Sequence, residues 1–375
     1  MNNRAWWVLV LIASCLVEAG AQTRYRGFTV SGLDAKNLET AARDWKANTV
    51  RYMMRPAFVA QHLERCLVEE TWKRMLKRLP GELDTAKRLG ILVVLDLHDA
   101  PDRLVTTYPS EAKDDKEGHR RFWADSGPLE LRKQYWRDLA MVCKDRPEEI
   151  WFDLMNEPLN WNDFPSYAKA WPRWAQATID EVRKIDRRHP IVVEVGPGGL
   201  GWGFKDFPPL KDPYQPLIYS VHMYQPQDYT HQGIANIQGT DLAKAYLKRQ
   251  RHWPGTFVDS GGGLWDRKRL EVELAPVREF QKRYGVRIYV GEFGVARWAP
   301  DAPVYLESLL EMFERYGWDW TYHAFRESDI WSLEHKNDYG TNEVAKTPTD
   351  RAKVMKAYLS RNRNTDPHVR GPRTP

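Results

Sequence analysis

Cysteine is scarce in this chain of 375 residues, and its scarcity excludes several classes of protein. The three cysteines, Cys15, Cys66 and Cys143, are too few and too widely spaced for a disulfide framework or a zinc knuckle. A bridge between Cys66 and Cys143 stays open, because an oxidising compartment would permit it. The chain also lacks a His-Glu-x-x-His pair, and its histidines are spread over different segments, so the sequence predicts no metal site.

Net charge is also small. It amounts to +5, from 56 basic and 51 acidic residues, and the two signs are mixed along the chain. No stretch concentrates lysine and arginine as a nucleic-acid-binding surface requires, so we expect no nucleic-acid partner. No internal repeat and no proline- or serine-rich linker divides the chain. We therefore expect one folded unit that acts as a monomer, and nothing in the sequence indicates a protein partner.

The long apolar run lies at the N-terminus. Arg4 gives a positive start, residues 5–17 are almost entirely apolar, and small residues lead up to Ala21. This pattern is typical of a secretory signal over residues 1–21, and it predicts a secreted or periplasmic protein. As an alternative, the sequence IASC, which ends at Cys15, resembles a bacterial lipobox and would anchor the protein through a lipid. Of the two, we favour cleavage after Ala21.

Beyond this segment, short β-rich runs alternate with helical patterns. Several of the runs, such as ILVVLDLH, are almost continuously apolar, as are strands of a parallel sheet that is buried on both faces. There are eight such runs, at residues 25–31, 48–54, 91–98, 150–156, 191–196, 217–222, 287–292 and 318–325. Helical patterns between them cover residues 38–47, 72–89, 131–144, 167–185, 264–284 and 304–316.

Eight strands alternating with helices predict an α/β fold, a (β/α)8 TIM barrel that forms a single catalytic domain over residues 22–360. The alternative is an open doubly wound sheet, which usually has a glycine-rich phosphate loop after its first strand, whereas Val30 is followed by SGLDAKN. Residues 99–130 and 225–263 are expected to form long loops on the catalytic face. Residues 361–375 have no apolar period and are expected to be a disordered tail.

Polar residues gather where the predicted strands end, and a barrel builds its site from these positions. Polar groups at the ends of apolar runs are costly to bury unless they are paired, so a row of them converging on one mouth indicates function. The residues are Arg51 and Arg55 at the second strand, His98 at the third, Asn156 and Glu157 at the fourth, His222 and Tyr224 at the sixth, Glu292 at the seventh and Trp331 beyond the eighth.

Two of these residues are glutamates that follow apolar strands: Glu157 stands in DLMNEP and Glu292 in YVGEFG. Pairs of carboxylates that flank a glycosidic bond are the usual machinery of sugar hydrolysis. One is protonated to release the leaving oxygen, and the other is ionised. Each glutamate alone has a simpler interpretation, an ion pair with a neighbouring arginine, but as a pair they predict a catalytic centre. Such acid–base hydrolysis needs no organic cofactor.

The order of these motifs resembles glycoside hydrolase family 5, whose members carry catalytic glutamates at the ends of strands four and seven. The resemblance covers residues 27–334, nearly the whole mature chain. It rests on Asn156-Glu157-Pro158, then His222-Met223-Tyr224, then Gly291-Glu292-Phe293-Gly294, together with Arg51, His98 in LDLHD and Trp331 in DIWSLE. It implies the TIM barrel and a retaining activity towards β-linked oligo- or polysaccharides.

The resemblance also implies a role for each residue. Glu157 would be the general acid and then the general base, and Glu292 would be the nucleophile. Arg51 and Tyr224 would keep Glu292 ionised, and His222 would help to set the proton affinity of Glu157. The sugar would be contacted by Asn156 at its 2-hydroxyl, by His98 at other hydroxyls, and by Trp331 as the stacking floor, with Phe325 as the alternative floor.

Other residues near the predicted site carry broader expectations. Asp96 and Asp153 are expected to brace the barrel. Glu194 is expected to support the site without acting in it, because strand five carries no catalytic residue in the family. The segment with His323, Arg326 and Glu327 is more polar than in many cellulases of the family. It either narrows the groove and binds a sugar substituent, or forms a local ion-pair cluster.

Tryptophan is abundant, with 17 copies against 12 of phenylalanine. The abundance predicts a tryptophan-rich core, a groove that binds its ligand by stacking, or both. Tryptophans in the predicted loops that leave the strand ends are candidate walls of sugar subsites. Besides Trp331, we identify Trp202, Trp265 and Trp298 as substrate-binding candidates.

The function that the resemblance implies is that of an exported endo-β-1,4-glucanase, which cleaves β-linked glucans by double displacement. A β-mannanase and an exo-acting β-glucosidase use the same catalytic residues and stay as alternatives, and transglycosylation shares the covalent intermediate. A different class would be a sugar-binding protein that has lost catalysis. The intact Glu157 and Glu292 argue against that class.

Overall fold

The computed structural model describes residues 23–99, 116–234, 250–258 and 260–362. The expected signal at residues 1–21 lies outside them, as does the expected tail beyond residue 362. Eight strands close into a barrel, which confirms the predicted TIM fold over the open sheet. They are β1 (Arg26–Val30), β2 (Thr49–Met54), β3 (Leu92–Leu97), β4 (Ile150–Asp153), β5 (Ile191–Glu194), β6 (Ile218–Met223), β7 (Arg287–Phe293) and β8 (Asp319–Tyr322).

Every neighbouring pair in the barrel is parallel, and β8 closes the ring by pairing with β1. Helices cover the outside of the barrel. The longer ones are α1 (Ala35–Arg43), α2 (Val68–Arg88), α3 (Lys116–Ala124), α4 (Ser126–Cys143), α5 (Trp171–Arg183), α6 (Arg267–Tyr284), α7 (Ala302–Tyr316) and α8 (Asp350–Leu359).

Capping residues decide where several helices begin, and they move the starts away from the predicted positions. Asp34 accepts the N–H of Asn37, so α1 begins at Ala35, ahead of the predicted residue 38. Asp266 accepts the N–H of Arg269, so α6 begins after it rather than at residue 264. Apolar periodicity alone did not report these caps.

Two of the segments that were predicted as long loops contain helices. Residues 116–130 were expected in a loop, but they form α3 and the start of α4. In the second segment, Gln227–Thr230 is one helical turn, and Gly255–Thr256 pairs with Leu264–Trp265 as a small antiparallel hairpin. Residues 100–115, 235–249 and 259 of these predicted loops lie outside the described residues.

Side-chain alternation along the strands divides the buried apolar residues between two clusters, one outside the barrel and one inside it. Outward-facing residues such as Val93 and Leu95 of β3 join the large apolar core beneath the helices. Inward-facing Leu92 and Val94 join a small cluster inside the barrel with Trp151, Val192, Ile218 and Tyr289. The next inward residue of β3 is Asp96, which is fully buried. The inside of the barrel is therefore apolar towards the amino ends of the strands and charged towards their carboxyl ends.

A β-bulge in β7 directs Glu292 into the mouth of the barrel. Val221 pairs with Val290, but His222 pairs with Glu292, which leaves Gly291 as an extra residue on β7. Without the extra residue, alternation would turn Glu292 towards the helices, because Val290 faces them. The bulge requires glycine, since a Cβ on Gly291 would meet the Ser220 Oγ at 2.8 Å and the His222 Nε2 at 2.9 Å.

The cysteines in the described residues answer a question that the sequence left open. Cys66 is half-buried and Cys143 is buried, and both are free thiols, so they do not form the bridge that the sequence left open. Burial raises the pKa of the Cys143 thiol to about 12. No helix in the described part of the chain is both long enough and apolar enough to cross a membrane.

Gly291→Ala is expected to destabilise the fold by about 1–3 kcal/mol, because the added methyl group must displace Ser220 or His222 from the bulge. Chemical denaturation followed by tryptophan fluorescence measures this change. Gly32→Ala is the matched control, since no atom lies within 4 Å of a Cβ placed there. Equal stability of the two variants would contradict the proposed role of the bulge.

Candidate active site

Glu292 is held in its ionised form by the groups around it. Its Oε1 accepts a hydrogen bond from Arg51 Nη1 at 2.7 Å, and its Oε2 accepts one from the Tyr224 hydroxyl at 2.8 Å. Burial alone would raise the pKa of Glu292, but the nearby His323, His222 and Arg51 outweigh it and hold that pKa well below its usual value. A buried carboxylate that stays ionised at the mouth of the barrel is suited to nucleophilic attack.

Glu157 lies four residues beyond the end of β4, and its pKa is shifted in the opposite direction to that of Glu292. Its Oε1 lies 2.8 Å from the Nδ1 of His222, and its backbone N–H donates to Glu194 Oε1 at 3.0 Å. Its φ of 46° lies in the left-handed region that non-glycine residues rarely adopt. Burial raises the pKa of Glu157 against the opposing hydrogen bond from His222. The two glutamates are thus biased towards opposite protonation states.

Arg51 connects the site to the charged interior of the barrel. It is fully buried, and its Nε donates to Asp153 Oδ2 at 2.8 Å, while its Nη2 donates to Asn156 Oδ1 at 3.0 Å. The same Nη2 lies 3.1 Å from Asp96 Oδ2 and 3.6 Å from Glu194 Oε2. The side chain therefore fixes Asn156 beside Glu157 while it neutralises the carboxylate of Glu292.

One arginine cannot compensate every acid in this interior. Burial raises the pKa of Asp96 to about 7 and also raises the pKa values of Asp153 and Glu194, although Arg51 opposes all three shifts and His222 opposes that of Glu194 most strongly. Burial would lower the pKa of His222, but Glu194 and Glu292 outweigh it and hold that pKa well above its usual value. The charges around Glu292 are therefore balanced by several groups that share protons.

His98 is fixed as a neutral ring. Its Nδ1 lies 2.7 Å from Asp96 Oδ2, and its Nε2 lies 3.2 Å from Arg55 Nη2. Because a guanidinium can only donate, the Nε2 of His98 must accept, so its Nδ1 carries the proton and donates to Asp96. Burial and the neighbouring Arg55 lower the pKa of His98 well below its usual value, which agrees with a neutral ring.

The polar segment after β8 divides into two parts. His323 lies with its Nδ1 3.7 Å from Glu292 Oε2, and its Nε2 3.5 Å from Glu327. Glu327 in turn accepts from Arg55 at 3.1 Å, so these side chains form part of the wall of the site. Arg326 instead forms two hydrogen bonds to Glu334, at 2.8 and 2.9 Å, away from the glutamate pair.

Two of the predicted tryptophans lie together near the glutamate pair. Trp331 packs at 5.7 Å, between ring centroids, from Tyr224, which itself contacts Glu292. Trp298 belongs to the same cluster and donates its indole N–H to the Gln232 carbonyl at 2.7 Å. His231 packs edge-on against Trp331 at 5.0 Å, and sequence reasoning missed it, since a histidine in a long loop has no spacing that relates it to a strand.

The other aromatic candidates lie elsewhere. Trp202 is 37% exposed and lies in the connection after β5. Its ring centroid is 6.1 Å from that of Phe164, whose centroid is 5.0 Å from that of Trp161, so the three rings form an aromatic row. Trp265 is 2% exposed and packs in the main core with Arg269 over its ring, so it presents no face to a groove. Phe325 is also in the core, stacked on Phe28, which favours Trp331 as the stacking floor.

The structure thus brings Arg51, His98, Asn156, Glu157, His222, Tyr224 and Glu292 into one connected network. One ligand atom from each of Glu157, His222 and Glu292 lies within 4.8 Å of the others, so these three could formally hold a divalent ion. The hydrogen bonds to His222, Arg51 and Tyr224 already account for the positions of both carboxylates.

Two carboxyl groups, placed at the ends of the fourth and seventh strands of a (β/α)8 barrel and biased to opposite protonation states, define an O-glycosyl hydrolase. Comparison of sequences identifies the family within this class. The model of the family Cellulase (glycosyl hydrolase family 5) matches residues 17–329, and the chain belongs to that family.

Relatives within the family are distant. Endoglucanase C of Acetivibrio thermocellus is 25% identical over 270 residues, which cover 64% of this chain and 70% of that protein. Endoglucanase 3 of Fibrobacter succinogenes is 30% identical over 112 residues, and this match covers 29% of this chain and 16% of that protein. Activity and substrates of these proteins therefore do not transfer directly to this chain.

A solved structure with the same fold is endoglucanase Cel5A from the hyperthermophilic Thermotoga maritima. It superposes with a TM-score of 0.63 at 21% identity and covers 88% of this chain and 96% of its own. Cel5A has also been solved in complex with mannotriose, with a TM-score of 0.62, 20% identity, and coverage of 89% and 97%. At this identity the likeness shows a shared barrel.

Tyr224→Phe is expected to move the acidic limb of the pH profile of kcat/KM upwards by about 1 pH unit. The variant loses a donor to the ionised form of Glu292, so the pKa of Glu292 rises and the ionised fraction at low pH falls. Activity on the most readily cleaved soluble glycan across pH 3–9 measures the shift. Buried Tyr305 donates at 2.9 Å to the Gln225 carbonyl, so Tyr305→Phe is the matched control, and an acidic limb shared by both variants would contradict the assignment.

Proposed function

We propose that this chain is an exported, retaining endo-β-1,4-glucanase that cleaves β-linked glucans by double displacement. The observation that carries the proposal is the pairing of Glu157 and Glu292. Oxygen atoms of the two carboxyl groups come within 4.8 Å of each other, which fits the roughly 5–5.5 Å spacing of retaining enzymes rather than the wider spacing of inverting ones. The opposite pKa shifts of the two groups supply the acid and the nucleophile.

In the first step, an oxygen of Glu292 forms a bond with the anomeric carbon while the bond from that carbon to the leaving oxygen breaks. Glu157 gives its proton to that oxygen, and its new carboxylate is stabilised by His222. In the second step, Glu157 takes a proton from water, which attacks the anomeric carbon and releases Glu292. Asn156, held by Arg51, is placed to bind the 2-hydroxyl of the sugar in both steps.

Glu157→Gln and Glu292→Gln are each expected to lower kcat on β-glucans by at least about 10²-fold, because each removes a group that moves a proton or attacks carbon. The assay measures reducing-sugar release from a panel of β-1,4-glucans and mannans, and proton NMR identifies the first anomer formed from a susceptible substrate. A first product of inverted configuration would contradict double displacement, and wild-type inactivity on every substrate would contradict the hydrolase.

Glu311→Gln is the matched control for these variants. Glu311 lies on the outer helix α7, where its side chain is 40% exposed and pairs with Arg267, and it has no contact with the network around Glu157 and Glu292 in the described residues, so the same chemical change is expected to leave kcat unaltered. The panel includes mannans because Cel5A, which shares the fold of this chain, has been solved in complex with mannotriose. A preference for mannan would redirect the substrate assignment without affecting the catalytic one.

The aromatic row formed by Trp161, Phe164 and Trp202 supports a polymeric substrate. It begins four residues after Glu157 in the chain, and Phe164 and Trp202 are 42% and 37% exposed. Sugar rings present apolar C–H faces, so a row of partly exposed aromatic rings that follows the acid closely in the chain suits a substrate of several sugars. We propose that the row binds the part of the substrate that leaves first.

Trp202→Ala is expected to raise KM about 10-fold for long oligosaccharides and to change it little for the shortest cleaved one, with kcat nearly constant. The loss of a stacking surface removes binding energy that is the same in the ground and transition states. Kinetics on a length series of cello-oligosaccharides measure the effect. Buried Trp265 is the comparison, since Trp265→Ala should act on stability instead, and an equal KM effect at every length would contradict the assignment.

The proposal of export, with cleavage after Ala21, rests on residues 1–21 alone. We also propose that the protein acts as a monomer. N-terminal sequencing of the protein recovered from the periplasm or medium tests the cleavage site, and Cys15→Ser distinguishes it from lipid attachment. Size-exclusion chromatography with light scattering tests the monomer.

A further inference from the structure

Glu194, the last residue of β5, makes two contacts with the acid side of the site. Its carboxyl group is fully buried. Its Oε1 accepts the backbone N–H of Glu157 at 3.0 Å, and its Oε2 lies 3.2 Å from the Nε2 of His222, an ion-pair distance. Because the Nδ1 of His222 contacts Glu157 in turn, the three side chains form a continuous line from β5 through β6 to the end of β4.

The backbone around this line is built to keep it in place. A Cβ on Gly199 would meet Glu194 Oε1 at 2.7 Å and the Cβ of His222 at 2.8 Å, and a Cβ on Gly291 would meet the His222 ring from another strand. The carbonyl of Gly199 also accepts the N–H of His222 at 2.7 Å. Glycine at both positions lets the ring of His222 fit between β5 and β7 with little freedom to turn.

The charged groups that face the line come from four other places in the barrel. These are Arg51 of β2, Asp96 of β3, Asp153 and Glu157 of the β4 segment, and Glu292 of β7. Arg51 is nearer to Asp153, Asp96 and Glu292 than to Glu194. Glu194 therefore has His222 as its closest cationic partner.

We propose that Glu194 is a positioning residue for the acid/base step, in which it anchors the backbone of Glu157 and keeps His222 charged with its Nδ1–H directed at the Glu157 carboxyl group. The proposal rests on the double-displacement function proposed above. Glu194 loses and gains no proton in either step. Its negative charge compensates the imidazolium, which stabilises the Glu157 carboxylate after the leaving group departs.

Glu194→Gln separates charge from shape. The amide oxygen of the glutamine can still accept the N–H of Glu157, and its NH2 group can donate to the Nε2 of His222. That donor forces the Nε2 to accept, so His222 becomes neutral and keeps its proton on Nδ1. Without the imidazolium charge, the pKa of Glu157 rises, the acid stays protonated to higher pH, and the basic limb of kcat/KM moves upwards.

The experiment records kcat/KM against pH for the wild type, Glu194→Gln and Asp186→Asn on the most readily cleaved polysaccharide of the panel. The basic limb of Glu194→Gln is expected to move up by about 1 pH unit. Asp186 is a comparably buried acid that also pairs with a buried histidine, His189, at 2.6 Å, but it precedes β5 at the end of the barrel opposite to the mouth, so Asp186→Asn should leave the basic limb in place. Basic limbs that coincide for Glu194→Gln and the wild type would overturn the proposal.

A second measurement does not depend on the variant folding. Nitrogen-15 NMR of histidine-labelled wild type, with the His222 signal assigned from His222→Gln, is expected to show a protonated ring at pH 8. A ring that titrates near its ordinary pKa of about 6.5 would overturn the proposal even if Glu194→Gln fails to fold. Wild-type inactivity on every glycan would instead refute the proposed function, while the NMR result would still decide whether His222 is charged next to Glu194.

Discussion

The guanidinium of Arg51 is the constraint on which the site depends. It lies inside the barrel without solvent contact and within 3.6 Å of oxygens from Asp96, Asp153, Glu194 and Glu292. Four carboxyl groups around one cation in a buried space cannot all be ionised at low cost, so the network assigns protons unequally. Glu292 is the member of this group with a lowered pKa, and it is also the one at the barrel mouth.

The difference between the two glutamates at the barrel mouth follows from that unequal sharing. Glu292 contacts Arg51 and the Tyr224 hydroxyl directly, whereas Glu157 has His222 as its hydrogen-bonding neighbour and sits where burial favours its neutral form. Two chemically identical side chains are therefore biased towards different protonation states because of which donors reach them. The β7 bulge and the left-handed backbone at Glu157 are the local distortions that bring the two together.

Much of this arrangement could be predicted from the sequence, because a parallel barrel places the carboxyl ends of its strands on one face. Eight apolar runs predicted the fold, and the polar residues that end them predicted the network around Glu157 and Glu292. Features that depend on contacts between distant segments could not be predicted. Whether Trp265 faces a groove or the core depends on the hairpin in which it pairs with Gly255, and the contact of Glu194 with His222 depends on two glycines. Helix starts were missed where a single capping side chain set them.

The charged network and the aromatic surfaces belong to different parts of the chain. Arg51, Asp96, Asp153, Glu194 and Glu292 all issue from strands of the barrel, whereas Trp161, Phe164, Trp202 and Trp331 are carried by connections between strands and helices. The segments that carry the proposed sugar-binding rings can therefore be lengthened, shortened or exchanged while the buried acids of the strands keep their places. Such a division makes the barrel a reusable catalytic frame, in which new specificities arise by replacing its connections while its buried acids stay as they are.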